Sequence, residues 1–292
     1  METSEVSIVL PIWKKARYLG HSLESCLSQT FRRLEVIVVD DGCEAVARAT
    51  AEAFVRQDKR VRIVTHGNNR GLPAALNTGF AVSLGKYLTW TSDDNCYRPQ
   101  AIQTLVSALE ANSAVGMVYS DHNVVDPEGR LIERRTAADF RNLIFQNCIG
   151  GCFLYRREVH LKLGGYAEEL FLAEDYDFWL RASAHFTLAP IHEELYDSRE
   201  HSGSLSARQA RGADAMARRC VAKNLPLLPW VTTAEKAAAY LMLARAAQSA
   251  GDWSEARHHA VSGFQLAPLA ATVFAARKIW ARTRPRNGQP PR

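Results

Sequence analysis

The chain has 292 residues, 47% of them apolar and 23% charged, enough for one large α/β domain, or for a domain of about 200 residues with a smaller appendage, around a real hydrophobic core. Its formal charge of +5 is concentrated at one end: Arg277, Lys278, Arg282, Arg284, Arg286 and Arg292 follow one another with no acid among them, so the rest is close to neutral. A neutral body excludes the broad basic footprint of a nucleic-acid-binding protein, whereas a basic tail suits an acidic surface such as anionic lipid.

The six cysteines form no CxxC pair and no zinc-finger spacing, so free thiols in a reducing compartment are expected. An acid precedes the short apolar run at residues 6–10, unlike a signal peptide, and no run approaches the roughly 18 apolar residues of a membrane span. The expected location is the cytoplasm, with the tail in peripheral contact with the inner face of the membrane.

Residues 6–10 and 36–39 are continuous apolar runs, the pattern of strands buried on both faces of a parallel sheet. Between them Leu19, Leu23, Cys26 and Leu27 recur at helical spacing. The alternation continues with a helix over 44–55, a strand over 61–64, a helix over 72–84, a strand over 87–90, a helix opened by Pro99 and a strand over 116–120. Such a rhythm predicts a mostly parallel, doubly wound, Rossmann-like sheet, which binds ligands beyond the carboxyl ends of its strands.

Beyond Asp121 the pattern changes. Asp126-Pro127-Glu128-Gly129 reads as a hairpin turn, residues 149–155 as a strand, and 157–163 as a helix ended by Gly164-Gly165. Another helix begins at Glu174-Asp175, with acids where the helix dipole favours them. From Pro226 onward the chain is alanine-rich and helical. Tyr240, Leu243, Ala244, Ala247, Gly251-Asp252-Trp253, Ala256, Ala260, Phe264 and Pro268 resemble one tetratricopeptide unit, with a further helix expected over 269–280. The expected division is a domain over 1–225 and a C-terminal α-helical extension over 226–292.

Several familiar chemistries are absent. No GxGxxG follows a predicted strand, GFAVSLGK at 79–86 fails the P-loop spacing and context, and neither HExxH nor GxSxG occurs. What remains is carboxylates at strand ends. The run 36–39 leads into Asp40-Asp41-Gly42, and 87–90 leads into Thr91-Ser92-Asp93-Asp94-Asn95. Both doubled acids belong at one edge of the sheet, where oxygen ligands suit Mg²⁺ or Mn²⁺ bound together with substrate phosphates.

Five stretches then carry a resemblance: Ser7-Ile8-Val9-Leu10-Pro11-Ile12-Trp13, SCLSQTF at 25–31, LEVIVVDDG at 34–42, NRGLPAALNTG at 69–79, and TWTSDDN at 89–95. In this order they resemble glycosyltransferase family 2, inverting enzymes of the GT-A fold, over about residues 5–205. The resemblance implies that the backbone at Leu10-Pro11 and the carboxylate of Asp41 hold the nucleotide base, with Asp40 as a partner. It implies that Asp93 contacts the ribose or donor sugar and that Asp94 ligates the metal. Ser92-Asp93-Asp94 departs slightly from the family's usual DXD spelling, which leaves the roles of Asp93 and Asp94 open to exchange.

Glu174-Asp175 matches the family's ED motif, in which the Asp is the general base toward the acceptor hydroxyl. Arg199-Glu200-His201-Ser202-Gly203-Ser204 resembles a late motif whose His completes the metal shell or touches the diphosphate, and an imidazole ligand favours Mn²⁺ over Mg²⁺. Arg70 is a candidate for neutralising phosphate.

The expectation is a metal-dependent inverting transferase that moves a sugar from a nucleotide-diphosphate sugar, UDP first, to an acceptor hydroxyl. The acceptor is a saccharide or a lipid-linked glycan, in polysaccharide or lipopolysaccharide assembly. Two rivals stand beside it. A sugar-phosphate nucleotidyltransferase would need a Gly- and Arg-rich loop after the first strand, where this chain reads Pro11-Ile12-Trp13-Lys14-Lys15. A non-catalytic scaffold using the helical end would have no need to keep Asp41, Asp94 and Asp175.

Overall fold

Strands β1 (Val6–Lys14) and β2 (Leu34–Cys43) pair in parallel, with Val6 opposite Leu34 and Ile12 opposite Asp40. Helix α1 (Leu19–Leu27) joins them, burying Leu19, Leu23 and Cys26. After α2 (Ala45–Gln57), strand β3 (Val61–Thr65) adds to the outer side of β2, and α3 (Leu72–Ala81) leads to β4 (Tyr87–Trp90) on the other side of β1. Near-complete burial of β1 and β2 follows from helices on both faces. The structure is a computed structural model that describes residues 4–14 and 16–268. The basic tail and the helix expected over 269–280 lie outside the described residues.

A two-residue strand β5 (Cys96–Tyr97) follows, then α4 (Ala101–Ala111), β6 (Val115–Val125) and β7 (Leu131–Arg135). Helix α4 starts two residues past Pro99, whose carbonyl instead accepts from the Thr30 N–H. The expected turn after Asp126 joins β6 and β7 as an antiparallel hairpin. Strand β8 (Phe153–Arg156), α5 (Arg157–Leu163), α6 (Glu174–Ser183) and β9 (Thr187–Arg199) complete the layer. Gly164 ends α5 in the left-handed conformation, as its lack of a Cβ permits.

The sheet order is β3-β2-β1-β4-β8-β6-β9-β5, with β7 paired to β6. Strands β3, β2, β1 and β4 are parallel neighbours, β8 is inserted antiparallel between β4 and β6, and β9 runs parallel to β6. Most strands therefore point the same way, as expected, but the strand after α4 does not lie next to β4. Strand β9 had no sequence signal, because Pro190, His192, Glu193 and Glu194 interrupt any alternation.

One face of the sheet packs Val6, Ile8 and Leu10 against α1 and α4 through Leu23, Ile102 and Leu105. The opposite face carries an aromatic layer in which Phe153 meets Trp179 at 4.6 Å and Tyr166 stacks on Phe178 at 4.5 Å. Helix α3 lies so close to this face that a Cβ on Gly79 would meet Val9 Cγ1 at 2.4 Å.

The chain divides into two compact units, Met1–Cys220 and Val221–Arg292. The first ends in α7 (Leu205–Arg208) and most of α8 (Ala210–Asn224). In the second, α9 (Thr233–Ser249) begins with a capping box between Thr232 and Glu235, and α10 (Trp253–Leu266) is capped by Asp252. Gly251, at φ 84°, makes the turn between them, and Gly263 brings α10 to within 3.0 Å of the Ala237 carbonyl for a Cβ placed there. This is the helix, tight turn, helix and terminal Pro268 that the repeat resemblance describes. Among the described residues no helix is long and apolar enough to cross a membrane.

Candidate active site

The carboxyl ends of β2, β1 and β4 lie side by side, so Asp40-Asp41 and Asp93-Asp94 flank the end of β1. Pro11 faces Val39, at the last regular rungs of that ladder. Asp40 is spent locally. Its Oδ1 accepts from the Gly42 and Cys43 N–H groups at 3.1 and 2.8 Å, and Oδ2 pairs with Arg48 at 2.6 Å. Gly42 takes φ 88° at this turn, a conformation that suits only glycine at no steric cost.

Asp41 is buried as well. It accepts from the Arg70 N–H at 2.7 Å and the Gly71 N–H at 2.9 Å, and meets His66 Nδ1 at 2.8 Å. His66 in turn reaches Thr78 Oγ1 at 2.9 Å. Asp41 thus holds the whole 66–71 loop against the sheet edge, and one of its roughly four lone-pair positions is left for a ligand donor. The Arg70 side chain is exposed, and only its backbone enters this network.

Asp93 and Asp94 are half-buried. Burial first, and then the charge of Asp94, push Asp93 up to about 7. Burial also raises Asp94, opposed by His201 and by Arg199. His201 Nε2 stands 3.1 Å from Asp94 Oδ2, which brings together two residues 107 positions apart. The Gly203 N–H donates to His201 Nδ1 at 3.2 Å, so the neutral ring carries its proton on Nε2 and donates to Asp94.

The donor chemistry fits a divalent cation in part. Asp94 offers an oxygen, whereas ligation through Nε2 requires the ring proton to leave and Gly203 to release Nδ1. Among the described residues no three His, Cys, Asp or Glu side chains form a cage by themselves, so the shell would be completed by substrate phosphate and water, the usual arrangement for Mg²⁺.

Arg199, quoted above only as part of a motif, is the brace of this corner. Its Nε donates to the Asp94 carbonyl at 3.1 Å, its Nη1 to the Asp126 and Pro127 carbonyls at 3.1 and 2.9 Å, and its N–H to Asn95 Oδ1 at 2.8 Å. The guanidinium also lies over the Tyr18 ring at 4.6 Å. No sequence signal gives these partners, since all lie more than 70 residues away. Trp13 is 43% exposed at the end of β1, with the Lys14 ammonium over its ring at 4.0 Å.

Glu174 and Asp175 open α6. The packing of Trp179 on Phe153, and of Phe153 on Trp90 at 5.9 Å, sets that helix start at the same sheet edge. Asp175 is half-buried; Oδ1 accepts from its neighbour Tyr176 N–H at 2.6 Å and Oδ2 from Asn147 at 3.4 Å. Burial raises its pKa against those two donors. Glu174 is 4% exposed, and its Oε2 has no hydrogen-bond partner. Burial and then the charge of Asp175 push it up to about 8. The structure therefore brings one acid pair with an imidazole, and a second acid pair, to a common edge, while Asp40 and the Arg70 side chain stay out of it.

The fold is of the GT-A type. Solved structures share the fold: the mannosyltransferase PcManGT of Pyrobaculum calidifontis, in complex with GDP-Man and Mn²⁺, superposes with a TM-score of 0.65 at 18% identity over 98% of this chain and 82% of that one. TarS of S. aureus with UDP-GlcNAc gives 0.62 at 14% identity over 89% and 92%. The chain belongs to glycosyl transferase family 2, whose model matches residues 7–164. A glycosyltransferase of Rickettsia conorii is 30% identical over 211 residues, which are 68% of this chain and 34% of that protein. The glycosyltransferase GlyG of Streptococcus pneumoniae is 31% identical over 135 residues, 46% and 45% of the two chains. The chain spans about a third of the length of the first curated relatives it matches.

Proposed function

We propose that this protein transfers a sugar, with inversion, from a nucleotide-diphosphate sugar to an acceptor hydroxyl. The observation that carries this reading is the placement of Asp93, Asp94 and His201 just beyond the carboxyl end of β4, and of Glu174 and Asp175 at the start of the helix that packs through Trp179 and Phe153 on Trp90 at that same strand end. Single displacement at an anomeric carbon needs a base on the acceptor side and charge stabilisation on the leaving-group side, and the two acid pairs supply separate groups for these tasks.

In this reading Asp175 takes the acceptor proton as the acceptor oxygen attacks the anomeric carbon. Asn147 and the Tyr176 N–H hold its carboxylate in place. The end of β1 at Pro11 receives the base, with the free lone pair of Asp41 accepting from it, and Asp93 reaches the ribose or sugar. Asp94 and His201 would hold Mn²⁺ or Mg²⁺, which neutralises charge on the leaving diphosphate. UDP is the first nucleotide to test and GDP the second, because the two fold neighbours carry UDP-GlcNAc and GDP-Man. The acceptor is proposed to be a saccharide hydroxyl in glycan assembly, free or lipid-linked.

Nucleotide release from a panel of UDP-, GDP- and dTDP-sugars, with Mn²⁺, with Mg²⁺ and after chelation, tests the reading. Asp175→Asn is expected to lose about 10²–10⁴ in turnover, the usual contribution of a general base, with donor binding kept. Undiminished turnover in that variant rejects the base assignment.

A further inference from the structure

Glu174 is harder to account for than Asp175. Two consecutive carboxylates at one helix start repel each other, and one of them is removed from water. The helix start offers partial compensation, since the backbone N–H groups of Leu172 and Glu174 favour the anion. That is less than a buried carboxylate requires, because Oε2 still has no donor.

Among the described residues no cation lies within ion-pair distance of Glu174. Helix α8, whose Cys220 thiol donates to the Ala173 carbonyl at 3.4 Å, carries Arg218 and Arg219, which reach the Asp214 carbonyl and the Met216 sulfur, and Lys162 on α5 is exposed. On α5, Arg157 is tied to the Gly85 carbonyl and Ser83 Oγ, and His160 is held neutral by burial among Phe80, Tyr155 and Phe178, with a pKa near 4. The 3-10 turn Phe140–Ile144 brings only Arg141, which is exposed, and the turn Glu168–Leu170 brings further acids. Strand β9 turns His192 and Glu194 to solvent. Arg181, on the far turn of α6, is bound to Asp177 at 2.6 Å and to the Leu163 and Gly165 carbonyls. Among the described residues the charge acting on Glu174 is that of Asp175.

Asp175 has what Glu174 lacks. Each of its oxygens has a donor, and its side chain is not fully enclosed. Resting on the glycosyl-transfer reading for the role of Asp175, we propose that Glu174 and Asp175 hold one proton between them at neutral pH, carried by Glu174. Glu174 is then a positioning residue that leaves Asp175 as the single anion of the pair.

The step balances with no further reactant. The acceptor O–H breaks and its proton goes to Asp175. The acceptor oxygen bonds to the anomeric carbon, and the electron pair of the broken carbon–oxygen bond leaves with the diphosphate. The pair then carries two protons, and the one on half-exposed Asp175 returns to solvent before the next turnover. The proton on enclosed Glu174 stays throughout. Were Glu174 ionised instead, Asp175 would become a stronger base but would hold its proton after the reaction.

Infrared difference spectroscopy tests this on the full chain with Asp93→Asn in every protein compared, the wild type included, because a protonated carboxyl absorbs well apart from a carboxylate and Asp93, raised to about 7, would add a band of its own. The expected result is a carboxyl band at neutral pH in the wild type and in Asp175→Asn. This band is absent from Glu174→Gln, and in the wild type it disappears as pH rises through about 8. A band lost in Asp175→Asn but kept in Glu174→Gln gives the proton to Asp175 and overturns the proposal, as does no band in the wild type. If Glu174→Gln fails to fold, the wild type and Asp175→Asn decide the matter.

The acid limb of kcat/KM supplies a second readout that a purely structural role would not produce. A neutral Glu174 and a Gln exert the same charge on Asp175, so the limb is expected at the same pH in both proteins. A limb lower by a pH unit or more in Glu174→Gln overturns the proposal. The band behaving as expected while no nucleotide sugar turns over rejects the proposed function and leaves the proton assignment standing.

Discussion

Glu174 ties the chemistry of one side chain to the stability of the chain. Its folded pKa of about 8 lies above the ordinary 4.5, so between those values the folded state holds a proton that the unfolded state has released. Stability is then fullest below the unfolded value and declines as pH rises toward the folded one. Urea midpoints measured at about pH 5 and about pH 8 are expected to fall for the wild type and to fall less for Glu174→Gln. Midpoints that shift equally in both proteins contradict this. At this scale the sequence showed which acids matter but not their company. Asp41 and Asp94 stood out as members of doubled pairs, yet the hold of Asp41 on a loop 29 and 30 residues away, and of His201 on Asp94, exists only once the strands are aligned. Arg199 shows the opposite limit: its role consists of carbonyl contacts, which leave no mark on composition or spacing.

Elements were more legible than contacts. Continuous apolar runs gave β1, β2 and β4, helical spacing gave α1, and the Gly164-Gly165 pair marked the end of α5. Strand β9 and the short β5 escaped, because their pairing with β6 and with each other, rather than their own residues, makes them strands. The strand expected from residue 149 begins instead at Phe153, since Gly150 and Gly151 are pressed against His122 and Tyr196, with Cβ positions 2.4 and 2.7 Å from those rings. Gly79 plays a comparable part between α3 and β1. Gly79→Ala forces Val9 aside and is expected to cost about 1–3 kcal/mol, the usual penalty for overpacking, read as a lower urea midpoint. An unchanged midpoint would mean that α3 can retreat from the sheet freely.

The whole molecule is a sheet-based unit and a separate helical unit, and the proposed ligand site draws only on the first. Segments from β1, β2, β4, α6 and the end of β9 must all be folded for a donor to bind, so binding should stabilise this unit as a block. A nucleotide sugar with Mn²⁺ at about 100 times its Kd is expected to add about 2.7 kcal/mol, measured as a raised midpoint. Asp94→Asn is expected to lose the Mn²⁺-dependent part of that gain. Equal gains with and without Mn²⁺ would separate Asp94 from cation binding.

The placement of β2 and β4 on either side of β1 has a further consequence. The ends of β2 and β4 are separated by two inter-strand spacings, about 9.5 Å, and backbone hydrogen bonds fix that interval; Asp40-Asp41 close β2, and Asp93-Asp94 follow in the turn just beyond Trp90. The sheet is therefore a ruler. Side chains can decide what is gripped at either mark, but the interval between the marks is set by backbone geometry and does not change when residues do.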